Sequence, residues 1–173
     1  YDRGSVNGAG PYFTFSAPLK DATGRTIANL PCQRPPWSRL VAVNANTGEI
    51  AWESTLGIND ALPEGKQLTG GSGSAGPTTT AGGLVFVGAW DRSAFAYDAT
   101  TGAPLWETRL PTMANGFPIT YAVNGRQYVA IGAGASIAGS SWTVRVPGAL
   151  LTEIKNPASG NGIFVFALPE AQR

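Results

Sequence analysis

The sequence predicts an all-β chain built from repeated four-stranded units, and three observations predict it. Thr47, Gly48 and Trp52 recur as Thr101, Gly102 and Trp106, each 54 positions later, and Ala42, Ala45, Glu53 and Leu56 are matched by Ala96, Ala99, Glu107 and Leu110 at the same offset. A repeat at this period points to a solenoid or a propeller. The 23 glycines and 13 prolines suit many short strands joined by tight turns. With 43% hydrophobic and 13% charged residues, the 173-residue chain is globular and long enough for one sizeable core.

Residues 1–39 form a lead-in of glycine, proline and aromatics. It holds one strand or extended run near Tyr12–Ser16, a turn at Asp21–Arg25, and an extended Arg34-Pro35-Pro36. The first repeat hairpin follows at 40–56. Asn44 is placed to accept turn amides, Gly48 supplies the positive φ that a short loop needs, and strict alternation puts Ile50 and Trp52 on one face. An indole recurring at the same place in each sheet serves best as a packing anchor between sheets.

Gly57 to Gly76 is a long polar connection, the kind that is often functional or mobile. Its end, Gly71-Ser72-Gly73-Ser74-Ala75-Gly76, matches Gly-x-Gly-x-x-Gly in letters only. A dinucleotide site needs a helix next, whereas Pro77 and three β-prone threonines follow.

Residues 77–110 are the clearest four-strand unit: 77–81, a Gly82-Gly83 turn, 84–88, a loop at 89–93, 94–98, the repeat turn, and 105–109. There Pro104 and Trp106 take the places of Ile50 and Trp52. The last unit spans 118–168. Thr120–Val123 and Arg126–Ile131 flank Asn124-Gly125, the strongest two-residue hairpin signal. A Gly/Ser-rich insertion at 132–162, with a strand at Ser141–Val146 and a short helix at Gly148–Ile154, precedes a returning strand at 162–167. Three such units do not close a ring, since propellers have four to eight blades. Open blade faces and sheet edges require covering by a partner, by self-association or by the rest of a parent chain.

Composition removes several function classes. The formal net charge is +1 and no two Lys or Arg residues are adjacent, so nothing marks a nucleic-acid or membrane-surface binder. No window offers the apolar run of a transmembrane helix. The single cysteine, Cys32, makes no internal disulfide and reads as a small buried residue or a spare thiol. Without histidine, Ser-His-Asp catalysis and His-ligated zinc are excluded within the chain. The scattered carboxylates have no calcium-loop spacing. The chain opens Tyr1-Asp2-Arg3-Gly4 and reads as a mature product or a fragment. Asp91 stands apart, in a loop after a strongly apolar strand. Such loops can face a propeller's central mouth, and a plain turn cap is the alternative.

The repeat, Ala-x-Asp-x-x-Thr-Gly-x-x-x-Trp with Asn44 for Asp in the first copy, resembles the tryptophan-docking motif of pyrroloquinoline quinone (PQQ) dehydrogenases. Three more segments resemble the carboxyl-terminal part of the glucose and quinate dehydrogenase branch, in the family's order: Pro31–Trp37, Gly76–Gly88 and Pro118–Ala130. The resemblance implies about three blades of an eight-bladed propeller, PQQ and calcium as cofactors, a periplasmic location, and oxidation of an alcohol or sugar hydroxyl. It implies that the base, the calcium ligands and the indole beneath the quinone lie on blades amino-terminal to this region. No catalytic or metal-binding residue is therefore assigned here, and the chain alone is expected to be inactive. The cofactor-site candidates it points to are Ser74, Asp91, Asn115, Gly134 and Ala135, with Asp91 near the quinone pocket, where a carboxylate can hold a basic partner. The sequence departs from glucose dehydrogenase at Ala135-Ser136, where a His-containing loop is expected. The competing reading is a non-catalytic propeller scaffold, like the outer-membrane assembly lipoprotein, built from the same repeat to bind other proteins.

Overall fold

A computed structural model describes residues 16–20, 22–31, 34–58, 62, 64–70, 75–89, 91–134 and 161–168. Among these there are strands and turns and no helix. Cys32, the Tyr12–Phe15 run, and the strand and helix expected within 141–154 lie outside the described residues.

The lead-in carries a hairpin of β1 (Ser16–Lys20) and β2 (Thr26–Pro31), closed at the expected turn with Gly24 at φ 81°. Next, β3 (Arg39–Val43) and β4 (Ile50–Thr55) pair antiparallel. Four strands then form one sheet in chain order: β5 (Thr78–Thr79), β6 (Leu84–Gly88), β7 (Ser93–Asp98) and β8 (Pro104–Arg109). The last sheet has the order β11-β10-β9, from β9 (Ile119–Val123), β10 (Arg126–Gly134) and β11 (Asn161–Ala167). Its first hairpin turns at Asn124 (φ 51°) and Gly125 (φ 78°), as that dipeptide predicts. Strand β10 runs on to Gly134, three residues into the range expected to be insertion.

The two copies of the repeat fold alike because their turns are held by the same bonds. Asn44 Oδ1 accepts the Asn46 amide at 2.9 Å, and Asp98 Oδ1 accepts the Thr100 and Thr101 amides at 2.9 and 2.8 Å and the Thr101 hydroxyl at 3.0 Å. Gly48 and Gly102 then turn at φ 76° and 71°. Each returning strand contains a one-residue bulge that strict alternation does not foresee. Ala42 pairs with Trp52 but Val43 pairs with Ile50, and Ala96 pairs with Trp106 but Tyr97 pairs with Pro104. Ile50 and Trp52 therefore lie on opposite faces, as do Pro104 and Trp106. The extra residue, Ala51 or Leu105, re-aims the indole toward the next sheet.

Two apolar cores lie between sheets. Leu40 and Trp52 pack with Val85, Val87, Phe95 and Tyr97 of the second sheet, and that sheet's other face packs Phe86, Ala94 and Ala96 on Val129, Ile131 and Ala133 of the third. Trp52 spans the first boundary. Its Nε1–H donates to Ala99 O at 3.0 Å, and its ring lies on Gly102, where a Cβ would collide with it. At the second boundary Trp106 meets the edge of Phe166 at 5.1 Å between centroids. The outward faces of the two terminal sheets stay apolar and open: Val43 is 59% and Ile50 58% exposed at one end, Ile119 60% and Ile163 76% at the other.

Candidate functional site

In an antiparallel sheet, alternate connections gather at one end. The β6–β7 turn (89–92), the β8–β9 connection (110–118), the end of β10, the start of β11 and the exit from β4 therefore share an end of the stack, opposite the repeat turns. Backbone bonds tie these pieces together. Leu110 N–H donates to Arg92 O at 2.8 Å, Ala114 N–H to Ala89 O at 3.3 Å, Gly134 N–H to Met113 O at 3.0 Å, and Gly116 N–H to Gly132 O at 2.9 Å. Glycine permits the closest approaches: a Cβ on Gly88 would meet Ala114, and one on Gly116 would meet the Gly132 backbone.

Asp91, Asn115 and Gly134 all lie at this end, while Ser74 and Ala135 fall outside the described residues. Asn115 and Gly134 are brought together directly, with Asn115 Nδ2 donating to Gly134 O at 3.4 Å. Asp91 is built into the backbone. Its Oδ1 accepts the Ser93 amide at 2.8 Å, which is the turn-capping role, and its Oδ2 accepts the Ile58 amide at 2.6 Å, which is more than a turn cap does. Arg92 is held at φ 74° beside it. Two buried hydroxyls at the same end, Ser93 and Thr112, have no hydrogen-bond partner among the described residues.

Tyr97, on the β7 strand below this end, is no acid or base at neutral pH. Burial, and then the charges of Glu107 and Asp91, push its phenol up to about 12. Its hydroxyl lies 3.4 Å from Thr55 O.

Two contacts at this end carry no local sequence signal. Phe117 rests its ring on Gly76, where a Cβ would strike it, and Thr78 Oγ1 donates to Pro118 O at 2.5 Å. The Ile58–Asp91 bond joins residues 33 positions apart, which no motif encodes. Gly76 before Pro77, and Phe117 before Pro118, are the only hints the sequence offers.

To a flat quinone these residues present one amide side chain and the adjoining end of a strand, which fits an edge contact. Among the described residues no three Cys, Asp or Glu side chains converge, so they do not fit a calcium ion.

A family model described as the PQQ glucose/ethanol/alcohol dehydrogenase β-propeller domain matches residues 4–129. Quinoprotein glucose dehydrogenase A of Acinetobacter calcoaceticus is 36% identical over 137 residues, which is 76% of this chain and 17% of that protein. A probable quinate dehydrogenase (quinone) of Xanthomonas campestris pv. juglandis is 34% identical over 151 residues, 82% of this chain and 17% of its own length. The glycerol dehydrogenase large subunit of Gluconobacter thailandicus is 34% identical over 139 residues, 76% and 18% of the two chains. Among solved structures, a europium-containing methanol dehydrogenase superposes with a TM-score of 0.54 at 27% identity, over 75% of this chain and 23% of that one. The chain thus spans less than a fifth of the length of the curated relatives it matches.

Proposed function

Because the chain belongs to the PQQ glucose/ethanol/alcohol dehydrogenase β-propeller domain family, we propose that it is an arc of the propeller of a quinone-dependent dehydrogenase that oxidises an alcohol or sugar hydroxyl. The observation that carries the reading is the convergence of Asp91, Asn115 and Gly134 on one end of the stack, joined through Ala89–Ala114 and Met113–Gly134.

In this reading PQQ, when bound, takes up the two electrons of the oxidised hydroxyl. The residues of this chain bind and orient. Asn115 would offer its side-chain amide to the bound quinone, the Met113–Gly134 and Gly116–Gly132 bonds would keep that amide in place, and the buried turn around Ala89 would exclude water beside it. The general base and the calcium ligands are assigned to blades outside this chain, so the 173 residues alone are inactive. The exposed terminal faces, Val41–Val43 with Ile50 and Ile119–Val123 with Ile163 and Val165, are where neighbouring blades pack. Trp52 and Trp106 act as the tryptophan-docking anchors of successive blades, and the compartment is the periplasm.

The test is to purify the full-length protein that carries this segment, load it with PQQ and Ca²⁺, and follow retained cofactor by absorbance. Dye-linked oxidation of glucose, quinate, glycerol and 1-butanol is followed alongside. Retained cofactor with turnover of at least one hydroxyl substrate is expected. A full-length protein that binds no PQQ would refute the reading and favour the non-catalytic scaffold.

A further inference from the structure

The two boundaries between sheets follow one plan up to a point. Val85 pairs with Tyr97 in the second sheet as Val129 pairs with Phe166 in the third. Beyond each pair, the Ala99 amide donates to Gly83 O at 2.8 Å and the Leu168 amide donates to Gln127 O at 3.0 Å. Leu168 thus stands in the place of Ala99, and Ala167 in that of Asp98. At the first boundary Ala99 O accepts the Trp52 indole N–H, and Gly102 lies under the ring. At the second, Leu168 O accepts Arg126 Nε–H at 3.4 Å instead, Trp106 meets the edge of Phe166, and among the described residues the Trp106 Nε1–H has no acceptor. The Asp98 carboxylate folds the turn that covers Trp52 by accepting from Thr100 and Thr101, and Ala167 has no such group.

A cavity of about 340 Å³ lies at this second boundary, among Leu84, Phe86, Trp106, Val129, Phe166 and Leu168. It is at the end of the stack that carries the repeat turns, away from Asp91, Asn115 and Gly134. Its walls are almost wholly apolar, with Thr120 and Gln127 as polar members. Native interiors leave few voids larger than a water molecule. An apolar cavity of about 150 Å³ stays dry and takes up benzene, so this one has room for two fused rings.

We propose that this cavity is a binding site for a flat two-ring aromatic compound bearing one acceptor oxygen, held against Phe86, Trp106 and Phe166 with that oxygen on the Trp106 indole N–H. The apolar walls select the ring system, since a more polar ligand would lose its hydration there without finding partners. Aromatic walls favour a flat ring over a flexible chain, through edge and offset contacts and because a rigid ligand has little conformational freedom to lose. Indole supplies a donor and no acceptor, so the polar atom of the ligand must accept. The site lies apart from the proposed quinone end and does not depend on that reading.

The experiment uses the full-length protein and two probes of the same shape, 2-acetylnaphthalene, which carries a carbonyl, and 2-ethylnaphthalene, which carries none. Binding of each is measured by equilibrium dialysis. The wild-type protein should bind both. In Trp106→Phe the ratio of the two affinities should shift about fivefold against the ketone, the size of one hydrogen bond, while an aromatic wall remains. Ala96→Leu, which extends a side chain into the cavity from β7, should weaken both probes at least about tenfold and leave the urea midpoint at or above that of wild type, because it fills space. Thr120→Leu makes the same test from β9 should Ala96→Leu not fold. Failure of the wild-type protein to bind either probe overturns the proposal and leaves the cavity to another segment of the chain. Wild-type affinity in the filled variants overturns it too, as does an affinity ratio that Trp106→Phe leaves unchanged. A probe that displaces PQQ is bound at the other end of the stack and equally refutes the assignment.

Discussion

Gly48 and Gly102 occupy the same place in the two repeat turns, at φ 76° and 71°, and only one of them faces a neighbour. Nothing lies within 4 Å of a Cβ built on Gly48, whereas one built on Gly102 runs into Cε3 and Cδ2 of Trp52. Replacing each by alanine therefore separates backbone strain from packing. The left-handed conformation costs a residue with a Cβ about 1–2 kcal/mol, and both variants incur that. Gly102→Ala must also push back an indole held by its bond to Ala99 O. Overpacking of this kind adds about 1–3 kcal/mol, and a lost hydrogen bond about 1 kcal/mol more. Gly48→Ala is thus expected to destabilise by about 1–2 kcal/mol and Gly102→Ala by roughly 3–6 kcal/mol. Urea denaturation of the full-length protein, followed by tryptophan fluorescence, measures both. In a Trp52→Ala background most of the excess cost at Gly102 should be lost, leaving only the tight contact with Ser54 Oγ to distinguish the two glycine variants. If they are already equal with Trp52 present, the indole does not bear on Gly102 and the account of the blade contact is wrong.

Three further outcomes follow from the same geometry. The Thr101 and Thr100 bonds hold the Asp98 carboxyl below its ordinary range. Its contribution is therefore present above the unfolded-state value and lost as pH falls through the lower folded value, so the penalty of Asp98→Ala should shrink in acid while that of Asn44→Ala stays flat across denaturation curves at several pH values. Tyr97, pushed up to about 12 chiefly by burial, should hold its proton in a phenolate absorbance titration well past the ordinary tyrosine value of about 10. Its raised value makes a contribution that is full below the unfolded tyrosine pKa of about 10 and is lost as pH rises to about 12, a loss that Tyr97→Phe should not show. Finally, the 173-residue chain on its own should self-associate through its open faces. Ile163→Lys with Val43→Lys should shift it toward monomer in sedimentation velocity, because each places a charge in an exposed apolar face.

Part of this was legible in the residues. The Asn44 and Asp98 turns and the Asn124-Gly125 hairpin rest on interactions within a few residues, which local sequence encodes. The bulges opposite Ala42 and Ala96 were not legible. Strict alternation reads Ile50 with Trp52, and the extra residue that separates them answers to the neighbouring sheet, which the strand's own sequence does not contain. At the candidate site, Asn115 and Gly134 could be named and do meet, but the second bond of Asp91 could not be anticipated, since its donor is the amide of Ile58 and every residue but proline has one.

By itself the sequence determined that the chain is β, that it repeats at 54 residues, which family it resembles, and which polar residues were worth following. Those properties follow from side-chain type and spacing along one chain. Only the tertiary structure decided that Trp52 lies over Gly102, that Thr69 O accepts the Trp37 amide, and that Asp91 carries two backbone amides at once. Each of these depends on where a backbone group from a distant segment comes to rest, and a backbone amide or a missing Cβ has an identity in space that it lacks in the sequence.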